Sequence, residues 1–262
     1  MAATPLISST ANARIKQIRA LAQRKQRDAA GLCVAEGIFH VGEALAAGAV
    51  DYLIYAPDTL TSQFGRELVT GAERDGIPTY PVTPDVMASV AGKDNPQGLL
   101  AVARQHMARL DDLSAATHPW MIALVAPQDP GNVGTILRTI DAVGASGLLL
   151  LDGGVDPWHP SAIRAGMGAI FRIPVAAAAW EQFVEWAGRG AYRLCGTSAH
   201  GRDGYRDADL YTPPVVLLLG SEREGLSAEQ SAACDVLLRL PMHGRVRSLN
   251  LAVAAGVFLY AM

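Results

Sequence analysis

The sequence predicts an α/β protein made of two successive units, with an open parallel sheet in the second. Short apolar runs alternate with helical patterns along both halves, as strands and helices do when they form layers. Several runs of the second half, such as 147–151 and 215–219, are continuously apolar, which is typical of parallel strands covered on both faces. Residues 106–118 lack a clear period and are interpreted as a linker. The predicted domains are therefore 1–105 and 119–262.

The composition is that of a folded globular protein. The 262 residues are 50% hydrophobic and 18% charged, which excludes wholesale disorder, and the formal net charge of −3 excludes a polycation. Cys33, Cys195 and Cys234 form no CxxC pair, so neither a disulfide framework nor a zinc ribbon is expected. The N-terminus lacks the core of a signal peptide, and the apolar run 249–262 is too short to span a bilayer. We therefore expect a cytoplasmic protein whose nucleic-acid contacts, if any, come from local patches.

The first unit begins with a basic segment. Residues 1–30 hold six basic side chains against one acid, and Ile15, Ile18 and Leu21 recur at helical spacing. This pattern predicts an amphipathic helix whose basic outer face is either solvated or in contact with phosphates. Strands are expected at residues 32–35, 52–55 and 98–103, and helices at residues 38–47 and 63–73.

The elements of the second unit are predicted from its apolar runs and the helical patterns between them. Strands are expected at residues 121–126, 147–151, 172–176, 192–196, 215–219 and 236–240, and helices at residues 133–143, 161–170, 180–188, 227–233 and 248–261. In such a sheet, ligands bind where loops leave the carboxyl ends of the strands.

The loop after the first strand of this unit carries glycines and an arginine. Gly131 and Gly134 allow a close approach of the backbone to a ligand or a strand, and Asn132 is expected to cap the following helix. Arg138 is expected about one and a half turns into that helix. An arginine there can grip a phosphate bidentately, or it can pair with an acid on a neighbouring helix.

Two later loops also follow apolar strands. In residues 219–225, Gly220 and Gly225 bracket polar side chains, as in a nucleotide-binding turn or an ordinary strand–helix loop. In residues 240–250, Ser248 is expected to cap the last helix. Asn250 is expected to be buried in its first turn, where its polar groups must find partners.

Several familiar signatures are absent from the sequence. There is no GxGxxG, GxxxxGK[ST], HExxH or GxSxG, and the six histidines show no metal-ligand spacing. A Rossmann dehydrogenase, a P-loop enzyme and a zinc hydrolase are therefore disfavoured, and no metal is expected.

Taken together, the loops resemble the SpoU (TrmH-like) family of RNA 2′-O-ribose methyltransferases in the SPOUT superfamily. The resemblance rests on Asn132-x-Gly134-x-x-x-Arg138, on residues 219–226 (LGSEREGL) and 240–250 (LPMHGRVRSLN), and on residues 163–174 between them, and it covers 119–262. Residues 8–103 resemble the family's ribosomal-protein-like RNA-binding domain more loosely, through Asn12, Lys16, Arg27, Glu36-Gly37 and Gln97-Gly98.

The resemblance implies a trefoil-knotted catalytic domain, a homodimer formed through that domain, and S-adenosylmethionine bound in the knot loops. The residues that it assigns to catalysis are Arg138, Asn132, Glu222, Ser248 and Asn250, with Arg138 in the place of the catalytic arginine. Those assigned to the cofactor are Thr197, Gly220, Leu240, Met242 and Leu249, where backbone groups hold the adenine. Candidates for RNA contact are Arg14, Lys16, Arg24 and Arg27 of the basic segment, together with Arg164.

The implied reaction is methylation of a ribose 2′-OH in structured RNA, with 23S rRNA expected ahead of tRNA. Because arginine is essentially always charged, Arg138 is expected to bind phosphate, orient the hydroxyl and stabilise oxyanion charge rather than act as a base. The alternatives are a tRNA 2′-O-methyltransferase, a non-catalytic RNA-binding or ribosome-assembly module, and another nucleotide enzyme on a Rossmann-like sheet.

Overall fold

The computed structural model describes residues 4–92 and 96–262, and the chain forms two compact units. The first unit extends to His106 and also includes Trp158–Arg172, whereas the second consists of Met107–Pro157 and Ile173–Met262. The main segment of the first unit ends at His106, one residue beyond the predicted end of the first domain. The segment Trp158–Arg172 was expected in the second domain but packs in the first unit.

The first unit combines a mixed sheet with helices. Its elements are α1 (Ala13–Ala20), α2 (Arg24–Ala30), β1 (Leu32–Glu36), α3 (Ile38–Ala46), β2 (Val50–Tyr55), α4 (Gln63–Arg74), β3 (Thr79–Pro81), α5 (Pro84–Ala88), β4 (Leu99–Arg104) and α7 (Pro160–Ala165). The strand order is β1-β4-β2-β3, in which β4 is antiparallel to β1 and β2, and β3 is parallel to β2. The sequence prediction missed β3 and α5, which are too short to show a period.

The basic segment forms two helices rather than one. Asn12 caps α1 by accepting from the Arg14 backbone N–H at 2.9 Å, and Ile15 and Ile18 are buried as their spacing predicts. The chain turns after Leu21, and α2 then ends at Gly31, whose φ of +64° suits a glycine. The turn therefore places Arg24, Lys25 and Arg27 on a separate helix from Arg14, Lys16 and Arg19.

The second unit is a parallel sheet with helices between its strands. Its elements are β5 (Trp120–Val125), α6 (Pro130–Val143), β6 (Gly147–Leu151), β7 (Val175–Ala178), α8 (Trp180–Arg189), β8 (Arg193–Thr197), β9 (Asp203–Gly204), β10 (Val215–Leu219), α9 (Ala228–Ala232), β11 (Val236–Arg239) and α10 (Leu251–Leu259). The strand order is β7-β6-β5-β10-β8-β11-β9, and each neighbouring pair is parallel. Because β5, β6 and β10 are almost wholly buried, the prediction of parallel strands covered on both faces is confirmed.

Two further segments, residues 161–170 and the predicted linker, differ from their predicted form. Residues 161–170 are not one helix, because α7 ends at Ala165 and the backbone turns through Met167 (φ +50°) and Gly168 (φ +75°). The predicted linker packs on the second unit, where Leu113 is buried and its carbonyl accepts from the Trp186 indole N–H at 2.8 Å. No helix in the described residues has the length and apolar character that crossing a membrane requires.

Candidate active site

Three loops at the carboxyl edge of the parallel sheet are joined by a chain of side-chain hydrogen bonds. The Asn132 Nδ2 donates to Glu222 Oε1 at 3.3 Å, and the Asn250 Nδ2 donates to Asn132 Oδ1 at 2.9 Å. Glu222 follows β10, Asn132 lies in the first turn of α6, and Asn250 precedes α10. The structure thus brings together three of the five residues predicted to be catalytic.

Glu222 also holds the backbone of the loop after β5. Its two carboxylate oxygens lie 3.3 and 3.2 Å from the Gln128 backbone nitrogen, which donates to them. A carboxylate accepts up to four hydrogen bonds, so one side chain can serve the amide of Asn132 and this N–H together. Glu222 therefore fixes the start of α6 relative to β10.

The helix caps differ from those predicted. Asp129, not Asn132, caps α6, since its Oδ1 accepts from the Gly131 N–H at 2.6 Å. Asn250, not Ser248, caps α10, since its Oδ1 accepts from the backbone N–H groups of residues 252 and 253 at 2.9 and 3.3 Å. Asn250 is exposed rather than buried, and capping leaves its Nδ2 free to reach Asn132.

Arg138 is an exposed residue of α6. It is the ninth residue of this helix, about two turns from its start rather than the predicted one and a half. Within residues 4–92 and 96–262 its guanidinium has no hydrogen-bond or ion-pair partner, so the predicted alternative of pairing with a neighbouring helix is wrong. Arg138 is six positions after Asn132, which corresponds to about 9 Å along the helix axis. The five N–H donors of its guanidinium are therefore not used by any described residue.

Gly220 is required by its own loop. A Cβ at this position would lie 2.1 Å from the carbonyl carbon of Gly225, which is closer than non-bonded atoms approach. The loop is closed by hydrogen bonds between Ser221 and Gly225 in both directions, at 3.2 and 3.0 Å. The turn explains why this residue is glycine, and the predicted role of its backbone in cofactor binding stays a prediction.

A cavity of about 810 Å³ lies beside the last helix of the second unit. It is lined by the remaining predicted cofactor residues, namely Thr197, Leu240, Met242 and Leu249, and by Ser248. Residues 241–249 make no hydrogen bond to any described residue, so their backbone donors and acceptors are available to a ligand. The volume of this cavity lies in the range of small-molecule sites.

The lining also includes basic side chains that the sequence prediction did not assign. Arg239, Arg245 and Arg247 line the cavity, and all three are exposed. The signal was present in the run His243-Gly-Arg-Val-Arg247, which places two arginines within a loop that was already singled out.

The second unit contains two thiols. Cys195 lies within β8, and Cys234 lies two residues before β11. Burial raises the pKa of the Cys195 thiol to about 11 and that of Cys234 to about 12. Both therefore stay protonated near neutral pH, and neither is suited to act as a nucleophile.

The predicted RNA-contact residues of the first unit have different surroundings. Arg14 lies 3.9 Å from the centroid of the Tyr80 ring and donates to its hydroxyl at 2.7 Å, whereas Lys16 is exposed. Arg24 is exposed and pairs with Asp28 at 3.6 Å.

Arg27 is the exception among them. It is only 1% exposed, and its Nη1 donates to the Leu21 and Ala22 carbonyls at 2.8 and 2.9 Å. The predicted RNA contact by Arg27 is therefore wrong, because its guanidinium is used to satisfy the turn between α1 and α2.

The remaining predicted residue, Arg164, lies on α7 in the first unit. Its Nη2 is 4.0 Å from Glu36 Oε2, and its side chain is 46% exposed. No group of histidine, cysteine, aspartate and glutamate suited to a metal ion occurs among the described residues.

The fold and the site define an α/β protein with a ligand cavity at the carboxyl edge of a parallel sheet, preceded by a separate mixed-sheet unit. Residues 119–260 match the SpoU rRNA Methylase family, and residues 12–101 match the MRM3-like substrate binding domain. The chain belongs to the SpoU rRNA methylase family, which confirms the resemblance seen in the sequence.

Relatives and solved structures match over nearly the whole chain. The 23S rRNA (uridine(2479)-2′-O)-methyltransferase of Streptomyces viridochromogenes is 32% identical, over 95% of this chain and 88% of the relative. The 23S rRNA (guanosine(2553)-2′-O)-methyltransferase of Bacillus subtilis is 29% identical, over 97% of both chains. The AdoMet-bound rRNA methyltransferase structure from Sinorhizobium meliloti is 36% identical, with a TM-score of 0.88 over 98% of this chain and 97% of that one.

Proposed function

We propose that the protein methylates a ribose 2′-OH of ribosomal RNA with S-adenosylmethionine as the methyl donor. The observation that carries this proposal is the hydrogen-bonded chain Glu222–Asn132–Asn250. This chain of bonds joins three family motifs that are far apart in sequence. Arg138 lies on the same helix as Asn132, and its guanidinium has no partner among the described residues.

The residues of the cavity fit this methyl donor. Residues 241–249 offer unpaired backbone N–H and C=O groups of the kind that recognise an adenine edge, and Leu240, Met242 and Leu249 provide apolar walls. Bound S-adenosylmethionine supplies an electrophilic methyl group on a sulfonium. Thr197 and Ser248 line the same cavity and offer hydroxyl groups for its polar parts.

Arg138 supplies the positive charge for the RNA side of the site. A guanidinium binds phosphate bidentately and stays charged at all working pH values, so it positions the backbone next to the target ribose. It also stabilises negative charge that develops on the 2′ oxygen as the proton departs to phosphate or water. The hydrogen-bonded chain from Glu222 to Asn250 fixes the start of α6, the helix that carries Arg138, relative to β10 and α10.

We infer that the substrate is 23S rRNA rather than tRNA. Both relatives described above are named as 23S rRNA 2′-O-methyltransferases and align over almost the full chain, including the first unit. A non-catalytic RNA-binding module is disfavoured, because such a module needs neither the cavity nor an unpaired Arg138.

A homodimer, a trefoil knot and a cytoplasmic location complete the proposal. One face of α10 and of the residue that follows it is apolar and exposed. It consists of Val253, Val257 and Tyr260, which are spaced at i, i+4 and i+7 and are 53, 36 and 74% exposed. An exposed apolar face of this kind supports a second copy of the chain as the partner that covers it. The knot is supported by the cavity, because residues 197–200, 239–242 and 244–249 line it together with Ala254 and Phe258 of α10.

The test is transfer of tritium from labelled S-adenosylmethionine to 23S rRNA from cells that lack this protein. We expect Arg138→Ala to reduce transfer at least a hundredfold while calorimetry shows unchanged cofactor affinity. Arg189→Ala is the matched control, because Arg189 is an exposed arginine of the same unit that pairs with Asp111 and does not line the cavity. Normal turnover by Arg138→Ala contradicts its role, and absence of cofactor binding by the unaltered protein contradicts the proposed reaction.

A further inference from the structure

A second cavity lies entirely within the first unit. Its volume is about 280 Å³, and the residues that line it come from α1 and the turn after it, from β1, from α3, from residues 89–92 and from α7. The apolar part of the wall consists of Ile18, Leu21, Val34, Val90 and Ile163. This volume is at the lower end of small-molecule sites, so it suits one flat heterocycle rather than a whole cofactor.

Glu36 places a carboxylate in the wall of this cavity. Its Oε2 accepts from the Gly92 N–H at 2.9 Å, but its Oε1 is buried and has no hydrogen-bond partner among the described residues. The side chain is only 14% exposed. A buried carboxylate oxygen without a donor is costly, and the terminal torsion of a glutamate is soft enough to turn this oxygen toward a ligand.

Arg164 contributes the opposite charge in the same wall. Its Nη2 lies 4.0 Å from Glu36 Oε2, which is too far for a hydrogen bond, and its guanidinium donates to no described residue. The cavity therefore presents unused acceptor capacity from Glu36 next to unused donors from Arg164, between apolar side chains.

Among the RNA bases, guanine matches this arrangement. Its Watson–Crick edge carries two adjacent donors, N1–H and the N2 amino group, beside the O6 acceptor. Two adjacent donors suit a carboxylate, and O6 is a usual acceptor for arginine. Adenine, cytosine and uracil each place an acceptor where guanine has one of its two donors, and that acceptor would face the carboxylate.

We propose that this cavity binds one unpaired guanine of the RNA substrate, with Glu36 accepting from its N1–H and N2 amino group and Arg164 donating to its O6. The inference rests on the proposed RNA methyltransferase function. Proteins commonly read RNA in this way, since bases splayed out of loops can stack on side chains and expose their edges.

The test uses fluorescence anisotropy of the full chain with 5′-labelled pentanucleotides UUXUU, in which X is G, A, C or U. We expect UUGUU to bind about tenfold more tightly than the other three, as one good bidentate contact discriminates among bases. Glu36→Gln should reduce this preference to less than twofold, because the amide replaces one of the two acceptor oxygens with an NH2 donor, which opposes a donor of guanine. Glu67→Gln is the matched control, as Glu67 is exposed on α4 and does not line the cavity.

A second variant tests the space rather than the charge. Ala22 lines the cavity and is exposed, so Ala22→Phe should fold and should weaken UUGUU to the level of UUUUU. Guanosine monophosphate distinguishes the source of the base. We expect it to bind at least tenfold more weakly than UUGUU, and equal affinity overturns RNA as the source.

The outcomes separate this inference from the function on which it rests. Equal binding of the four pentanucleotides, a preference for another base, or a guanine preference that survives Glu36→Gln overturns the guanine site. None of these readouts requires methyl transfer. If the unaltered protein methylates rRNA but shows no base preference, only the guanine site is wrong, and if it methylates no RNA, the proposed function is wrong whatever the pentanucleotides show.

Discussion

The side-chain amide of Asn250 donates to the Asn132 side chain at 2.9 Å, across 118 residues of sequence. The same asparagine caps α10 with its oxygen. One side chain therefore connects the start of the last helix to the first turn of α6. Arg138 lies further along this same helix.

The two roles of Asn250 can be separated by substitution. Asn250→Asp keeps an oxygen for the cap but loses the donor to Asn132, so we expect the melting temperature to be retained and methyl transfer to fall about tenfold. Asn250→Ala loses the cap as well and should cost about 1 kcal/mol of unfolding free energy. Calorimetric melting and tritium transfer are measured on both variants. Full activity in Asn250→Asp contradicts a role for the Asn250–Asn132 bond.

Glu222 is expected to act through its charge and its two oxygens. Glu222→Gln leaves one acceptor oxygen for the Gln128 N–H and the Asn132 amide together, so we expect methyl transfer to fall about tenfold or more. Glu224→Gln is the comparison, since Glu224 is exposed two residues away and its side chain makes no hydrogen bond to the described residues. Equal losses in the two variants would show that only local negative charge matters.

The turn from Gly220 to Gly225 predicts different costs for its two glycines. Gly220→Ala places a methyl group against backbone, so we expect a loss of at least about 3 kcal/mol or a failure to fold. Gly225→Ala meets nothing within 4 Å and suffers only from its φ of +71°, which should cost about 1–2 kcal/mol. Urea unfolding of both variants measures the difference, and the reverse order is incompatible with the structure.

Arg27 is expected to affect stability rather than RNA affinity. Arg27→Ala leaves the Leu21 and Ala22 carbonyls without their charged donor, so we expect a loss of about 2–3 kcal/mol. Lys16→Ala should do the opposite, with little change in melting temperature and a shallower salt dependence of RNA binding. Calorimetry and binding titrations at several salt concentrations measure both quantities, and a stable Arg27→Ala variant with weakened RNA binding would restore the original prediction.

Alkaline pH is expected to destabilise the second unit through its buried thiols. Burial raises the pKa of Cys195 from 9.0 to about 11, so the neutral thiol is favoured in the folded state. The stabilisation is complete below about pH 9 and is lost as the pH rises through about 11. Urea unfolding between pH 7.5 and 10.5 should show a smaller decline in Cys195→Ala than in the unaltered chain. An identical decline would assign the alkaline loss to other groups.

The sequence was most informative where a single run of residues determines the outcome. Residues 147–151 and 215–219 were predicted as buried parallel strands with their observed bounds, because continuous apolar character is a local property. The break of the predicted helix 161–170 depends on the backbone at Met167 and Gly168, which no period reveals.

The contacts of the site were beyond prediction for a different reason. Glu222 and Asn132 are 90 residues apart, so their bond depends on the register of the sheet rather than on either motif. The burial of Arg27 depends on the turn after α1, because the same side chain on one continuous helix would have faced solvent. The family resemblance supplied the list of site residues, and the burial of Arg27 then separated it from the other predicted RNA-contact residues.

The interleaving of the two units has a consequence for biosynthesis. Because Trp158–Arg172 packs in the unit that begins at the N-terminus, a ribosome must polymerise the first 172 residues before that unit is complete. During this interval, β1 and the Glu36 carboxylate lack their contacts with α7, although β5 and β6 have already been polymerised. A nascent chain arrested before residue 158 is therefore expected to be more susceptible to protease in its leading portion than one released beyond residue 172.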